Sequence, residues 1–178
     1  MTKRDLAEKA GRIKLLLMDV DGVLTDGIIT YDEKGQELKS FHIQDGHGIK
    51  MLKEAGIGTG MLSGRKSAAA EKRGKELGMD EIWLGVADKI SVYDKILRQR
   101  GLSDHEVAYI GDDLPDLPVL KRVGFSLSVS NGVDEIKDQV DWVTKKPGGY
   151  GGVREAIDLI LSVKSGEDKS RSVGFLKV

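Results

Sequence analysis

Two carboxylates, Asp19 and Asp21, close an apolar run in "LLLMDVDGVLTD" (residues 15–26). Like charges this close repel, and burying either one unpaired is costly. Further along, "LSGRK" brings Ser63, Gly64 and Arg65 together, Lys89 follows "GVAD", and "GDDLPD" carries Asp112, Asp113 and Asp116. Three or more carboxylates facing a serine and a lysine make a magnesium-assisted phosphoryl site. A hard cation takes oxygen ligands and keeps several waters. It offsets the repulsion between the acids and neutralises a phosphate they would otherwise repel. The Ser63 hydroxyl, neighbouring backbone N–H groups and the Lys89 ammonium can hold phosphate oxygens.

Such a site works only if the fold brings these residues to one place, and the hydropathy pattern says how. Residues 13–20 are a continuous apolar run, the signature of a strand buried on both faces. Residues 27–43 alternate, are rich in β-branched residues and turn at "DEKG", which predicts a β-hairpin. Residues 45–56 and 66–78 read as helices stopped by Gly56 and Gly78, and 90–101 as a helix stopped by Gly101. Strands are predicted over 57–64, 81–85, 106–113, 125–130 and 141–144, and further helices over 115–124, 133–140 and 151–166. The polar N-terminus, "MTKRDLAEKAGR", does not read as a signal peptide. Alternating strands and helices at this spacing imply an α/β, three-layer Rossmann-like fold with a mostly parallel sheet and a hairpin after the first strand. In such a sheet, ligands bind beyond the carboxyl ends of the strands. Asp19, Ser63, Lys89 and Asp112 all fall there.

Composition narrows the field. The chain has 178 residues, one domain of ordinary size, here expected over 1–164 with a tail at 165–178. Lys plus Arg total 28 against 29 Asp plus Glu, a net charge of -1, so no basic field argues for nucleic acid. With no cysteine, disulfides, zinc thiolates and thiol nucleophiles are excluded, which also fits a reducing cytoplasm. No apolar run approaches the roughly 20 residues of a membrane helix.

Taken singly, the residues have plainer readings. A DxDG segment could open a calcium loop, but the later ligands and closing Glu of an EF-hand are missing. Asp112 and Asp113 could cap the helix that follows, Ser63 could be a turn residue, and Lys89 a solvated cation. His105 reads as surface, Trp83 and Trp142 as core, and His42 and His47, flanking Asp45, as either structural or site-facing.

Together, "DVDGVLTD", Ser63 after a strand, Lys89 before a helix and "GDDLPD" resemble the four ordered motifs of the haloacid dehalogenase-like hydrolases. The resemblance implies phosphatase chemistry through an aspartyl-phosphate, with magnesium as cofactor. It makes Asp19 the nucleophile and Asp21 the general acid/base. The metal ligands would be Asp19, Asp112 and the Asp21 backbone carbonyl, with Asp113 and Asp116 in support. Ser63, Gly64 and Lys89 would hold the phosphoryl group. Only the hairpin 27–43 separates the first acids from the next helix, so no cap domain is present. "GQELKSFHIQDGHGIK", "LSGRKS", "YIGDDLPDLPVL" and "GGYGGVREAIDLIL" further resemble the capless phosphatases of 3-deoxy-D-manno-octulosonate 8-phosphate (KDO 8-phosphate), in the cytoplasmic route to lipopolysaccharide. That family implies a sugar phosphate substrate and a homotetramer in which the hairpins meet and a neighbour roofs each site. His42, Gln44, Asp45, Gly46, Lys50, Arg65 and Arg73 match its substrate-contact positions. Gln44 departs from the pattern, since Arg is common there and binds a carboxylate bidentately. A nine-carbon sugar acid phosphate, or a broader range of sugar phosphates, therefore stands as an alternative. A receiver domain that stores phosphate on an aspartate would share the acidic pocket and the lysine, but it would not want a general acid two residues on. The apolar end "VGFLKV" is expected to dock near a neighbouring site after a flexible linker.

Overall fold

The computed structural model describes residues 2–165; the tail expected to dock at a neighbouring site lies outside them. The central strand β1 (Leu15–Met18) is buried at all four positions. It is flanked in parallel by β4 (Gly58–Ser63) and β6 (Val107–Gly111). With β5 (Glu81–Leu84), β7 (Phe125–Ser128) and β8 (Trp142–Val143) they form a six-stranded sheet in the order β5-β4-β1-β6-β7-β8, parallel at every pairing. The chain builds outward from β1 on one side and then crosses to β6 on the other, so the topological switch lies at the β1–β6 boundary.

Side-chain alternation along β1 divides the core. Leu16 and Met18 join one apolar cluster with Ile49, Leu52, Ile157 and Ile160. Leu15 and Leu17 join the other, with Tyr93, Ile96, Val119 and Leu120. The first cluster is covered by α1 (Lys3–Gly11), α2 (Ile43–Glu54), α3 (Ala68–Leu77) and α7 (Gly152–Lys164), the second by α4 (Lys89–Arg100), α5 (Leu117–Leu120) and α6 (Asp134–Lys137). The three-layer expectation is met. Trp83 and Trp142 are half-buried against these clusters rather than enclosed. His105 is exposed, as expected. No helix among the described residues is long and apolar enough to cross a membrane.

One helix is added to the elements expected and one reading is corrected. The polar N-terminus forms α1, opened by a reciprocal cap in which Asp5 N–H donates to Thr2 Oγ1 at 3.2 Å and Thr2 N–H to Asp5 Oδ2 at 3.0 Å. The hairpin is shorter than 27–43. Its ladder is only β2 (Thr30–Tyr31) against β3 (Glu37–Leu38). The turn owes its shape to Asp32, whose Oδ1 accepts from the Lys34 and Gln36 N–H groups at 2.9 and 2.8 Å. Ile43, placed in the hairpin by its alternation, is the first residue of α2.

Candidate active site

Asp19 follows β1 directly, and its N–H still donates to the Ile110 carbonyl of β6 at 2.9 Å. Its carboxylate is thereby fixed at the carboxyl rim of the two central strands. The chain then turns at once. Leu24 and Thr25 N–H groups both donate to the Val20 carbonyl at 3.0 Å, and the Thr25 hydroxyl donates to it at 3.2 Å. Gly22 makes the turn possible with φ +88°, and a Cβ there would lie 2.0 Å from Asp112 Oδ2. Both the backbone and the close approach of Asp112 exclude a side chain at this position.

Asp112 follows β6, and the turn of 3-10 helix Leu114–Asp116 swings Asp116 back beneath it. Asp19, Asp112 and Asp116 each offer an oxygen within 4.8 Å of the others. Lys89, the first residue of α4, lies among them with only 7% exposure. Its Nζ is 2.9 Å from Asp19 Oδ1 and 2.6 Å from Asp116 Oδ1. Asp116 Oδ1 also accepts from the Tyr109 hydroxyl at 2.6 Å, and its Oδ2 accepts from the Asp112 and Asp113 N–H groups at 3.1 and 3.3 Å. Asp116 is thus the hub that ties lysine, tyrosine and loop backbone together.

Three carboxylates around one ammonium leave an excess of negative charge. Burial, then the charge of Asp116, pushes Asp19 up to about 6 against the pull of Lys89. Burial, then the charges of Asp19 and Asp116, pushes Asp112 up to about 8. Burial pulls Lys89 down, but Asp19 and Asp116 together outweigh it and leave it above its ordinary value. Burial holds the Tyr109 hydroxyl protonated, so it donates to Asp116. Among the described residues, Asp112 Oδ1 is enclosed with no hydrogen-bond donor, and Asp19 Oδ1 faces the Lys89 ammonium. An enclosed carboxylate oxygen without a donor, set this close to two further carboxylates, suits the oxygen ligation a hard divalent cation requires.

Ser63 ends β4, beside β1, at the same rim. It is 2% exposed, and its Oγ accepts the Arg65 N–H at 3.2 Å. The loop it opens is pinned to its neighbour: Val86 N–H donates to the Ser63 carbonyl at 3.0 Å and Gly85 N–H to the Arg65 carbonyl at 3.1 Å. Gly64 and Arg65 are exposed there. Asp21 is half-buried and ion-paired with Lys39.

The remaining candidates divide. Asp113 is exposed and caps the 3-10 turn through the Leu114 N–H at 2.7 Å, so it is not the equal of Asp116, with which the sequence grouped it. The reason is spacing: one tight turn returns Asp116 beneath the site and leaves its cap, Asp113, facing solvent. Asp45, read as a substrate contact, is buried, and its carboxylate accepts the Gly151 and Arg154 N–H groups at 3.3 and 2.7 Å, holding the start of α7. His42, Asp45, Gly46 and Arg73 do meet, in a small cavity that Leu24 also lines. A Cβ at Gly46 would lie 2.3 Å from Arg73 Nη2, so the glycine lets that guanidinium pack close against α2. Gln44, His47 and Lys50 are exposed on α2, away from that cavity.

Sequence reasoning missed Tyr109, Lys39, Glu37 and Asn131. Tyr109 was signalled by a lone hydroxyl in an apolar strand; the others carried no signal. Asn131 clamps the turn after Asp19: its Nδ2 donates to the Gly22 carbonyl at 3.1 Å and its Oδ1 accepts the Gly148 N–H at 2.7 Å. Gly149 N–H completes the clamp on the Val23 carbonyl at 3.0 Å.

Residues 81–157 match the haloacid dehalogenase-like hydrolase family. The chain is 37% identical to the 3-deoxy-D-manno-octulosonate 8-phosphate phosphatase KdsC of Escherichia coli (strain K12), over 94% of this chain and 89% of that one. Among solved structures, the 3-deoxy-D-manno-octulosonate 8-phosphate phosphatase of Moraxella catarrhalis, in complex with magnesium, phosphate and KDO, superposes with a TM-score of 0.90 at 41% identity. That match covers 96% of this chain and 98% of the other. The cobalt-bound deoxy-D-mannose-octulosonate 8-phosphate phosphatase of Haemophilus influenzae gives 0.85 at 41% identity, over 95% and 99%.

Proposed function

We infer that this chain, which belongs to the haloacid dehalogenase-like hydrolases and within them to the KDO 8-phosphate phosphatase family, is a magnesium-dependent phosphomonoesterase that cleaves KDO 8-phosphate. The observation that carries this is the meeting of Asp19, Asp112 and Asp116 around Lys89, with an enclosed Asp112 oxygen left without a donor among the described residues. Asp19, Asp112 and the Asp21 backbone carbonyl would hold magnesium, with Asp116 fixing Lys89 alongside. The cation, when bound, neutralises phosphate oxygens and the repulsion between the acids.

The chain's own residues account for the chemistry. An Asp19 oxygen attacks phosphorus in line, forming an acyl-phosphate bond as the bond from phosphorus to the sugar oxygen breaks. Asp21 gives its proton to the departing sugar oxygen, then takes one from the water that cleaves the acyl phosphate, releasing phosphate and restoring Asp19. Ser63, the adjacent backbone and Lys89 hold the phosphoryl oxygens throughout. Arg65 and Arg73 are the cations suited to the sugar acid's carboxylate.

A second reading rests on Gln44, a neutral residue where the family commonly has Arg: the enzyme accepts a nine-carbon sugar acid phosphate or several sugar phosphates. Phosphate release from KDO 8-phosphate, a nine-carbon homologue and p-nitrophenyl phosphate, each with and without magnesium, decides between them. A clear preference in kcat/KM for KDO 8-phosphate is expected, and equal values would favour the broader reading.

The arm at 27–42, followed by Ile43, presents Ile28, Ile29, Tyr31, Leu38 and Ile43 to solvent at 49% exposure or more. An apolar set of this kind on a sheet edge supports a homotetramer joined through the arms, each roofing a neighbour's site. The absence of cysteine and the chemistry of the substrate support a cytoplasmic enzyme.

A further inference from the structure

Lys39 stands out in an arm that is otherwise largely exposed: its side chain retains 2% exposure. A lysine is almost never enclosed unless its charge is matched. Here two carboxylates match it. Lys39 Nζ pairs with Asp21 Oδ1 and, at 3.2 Å, with Glu37 Oε1. Glu37 also pairs with Arg65, whose Nε lies 3.8 Å from Asp21 Oδ2. The four side chains form a closed set of two acids and two cations, drawn from the turn after β1, from the end of the arm, and from the loop after β4.

Asp21 needs such help. No backbone N–H among the described residues donates to its carboxylate, in contrast to Asp116, which holds two. The glycine turn that follows at Gly22 leaves its side chain without a local anchor. Lys39 is the close contact that sets its direction, and Glu37 in turn fixes Lys39.

We infer that Lys39 is a positioning residue for Asp21, aiming the proton donor at the leaving oxygen and making the end of the arm a working part of the site. This rests on the phosphatase reading and deepens it. Proton donation matters most when the leaving group is a poor one, such as a sugar alkoxide, and little when it is p-nitrophenolate. A misaimed Asp21 should therefore discriminate between substrates, whereas general damage to the site should not.

The test compares kcat/KM for KDO 8-phosphate and p-nitrophenyl phosphate, which reports the steps up to loss of the leaving group, in Lys39→Met and Lys39→Arg. Lys39→Met keeps the apolar stem and removes the charge. It is expected to lose roughly 10- to 100-fold on the sugar phosphate, to lose a few-fold at most on the aryl phosphate, and to melt within a few degrees of the unsubstituted protein. Lys39→Arg should recover most of the difference. Equal losses on both substrates, or none on either, would overturn the inference. Should Lys39→Met unfold, Lys39→Gln carries the same comparison. Failure of the phosphatase reading is separate, since the unsubstituted protein would then release phosphate from neither substrate.

Discussion

At the rim of the sheet, three carboxylates and one ammonium are enclosed, cross-bonded and held by backbone from two strands. In the neighbouring arm, two-residue strands carry Ile28 at 65% and Tyr31 at 59% exposure. The rim concentrates charge that its fold cannot neutralise by itself. The arm exposes apolar surface that its fold cannot cover by itself. One region gathers charge and the other apolar surface, and the Asp21–Lys39–Glu37–Arg65 set is where the two join.

The difference can be broken most sharply at Asp19. Asp19→Asn should cut turnover by roughly a thousandfold or more, because an amide is a poor nucleophile. It should not lower the melting temperature of the metal-free protein, since a repelled buried charge is removed. Turnover near that of the unsubstituted enzyme would show that Asp19 is not the nucleophile.

A smaller effect separates the regions by pH. Asp112, raised to about 8, and Asp19, raised to about 6, bind protons in the folded protein that they give up in the unfolded one. Stability therefore falls as pH rises toward those folded values and levels off above them. In chelator, the melting temperature is expected to decline from about pH 5 to 8, and magnesium should restore most at the alkaline end. Glu37, in the arm, adds nothing in this window, because the Arg65 hydrogen bond holds it below its ordinary range. A profile in chelator as flat as that in magnesium would mean the acids are not frustrated by one another.

The smallest effect on folding belongs to the arm. Ile28→Ser with Ile29→Ser should leave the stability of the single chain within about 0.5 kcal/mol, as expected of surface sites. It should nevertheless shift sedimentation from tetramer toward smaller species. A substituted protein that sediments as the unsubstituted one does would remove the arm from the assembly.

The sheet and the rim were legible in the sequence because apolar runs followed by polar residues encode both position and polarity. Asp19, Ser63, Lys89 and Asp112 could be placed on that basis alone. The α1 helix was hidden because its burial rests on a few residues, chiefly Ala10, within a charged segment. The hairpin's extent was overread because alternation at 27–43 reflects an exposed arm and a helix start rather than a long ladder. Asp113 and Asp116 could not be told apart by type; only the 3-10 turn distinguishes them. Lys39 and Glu37 were invisible because a charge in an alternating segment gives no sign of what it faces.

The clamp on the turn after Asp19 has a consequence in time. Asn131 reaches Gly22 across 109 positions of sequence, and Gly148 and Gly149 close on the same turn from farther still. Contacts of such span must wait for the intervening chain, and closing them is slow relative to local structure. A polypeptide emerging from the ribosome exposes Asp19 and Asp21 early but cannot lock their turn until nearly all of the sheet exists. Competence to handle phosphate therefore arrives as one of the last events of biogenesis, and a half-made chain carries the motif without the activity.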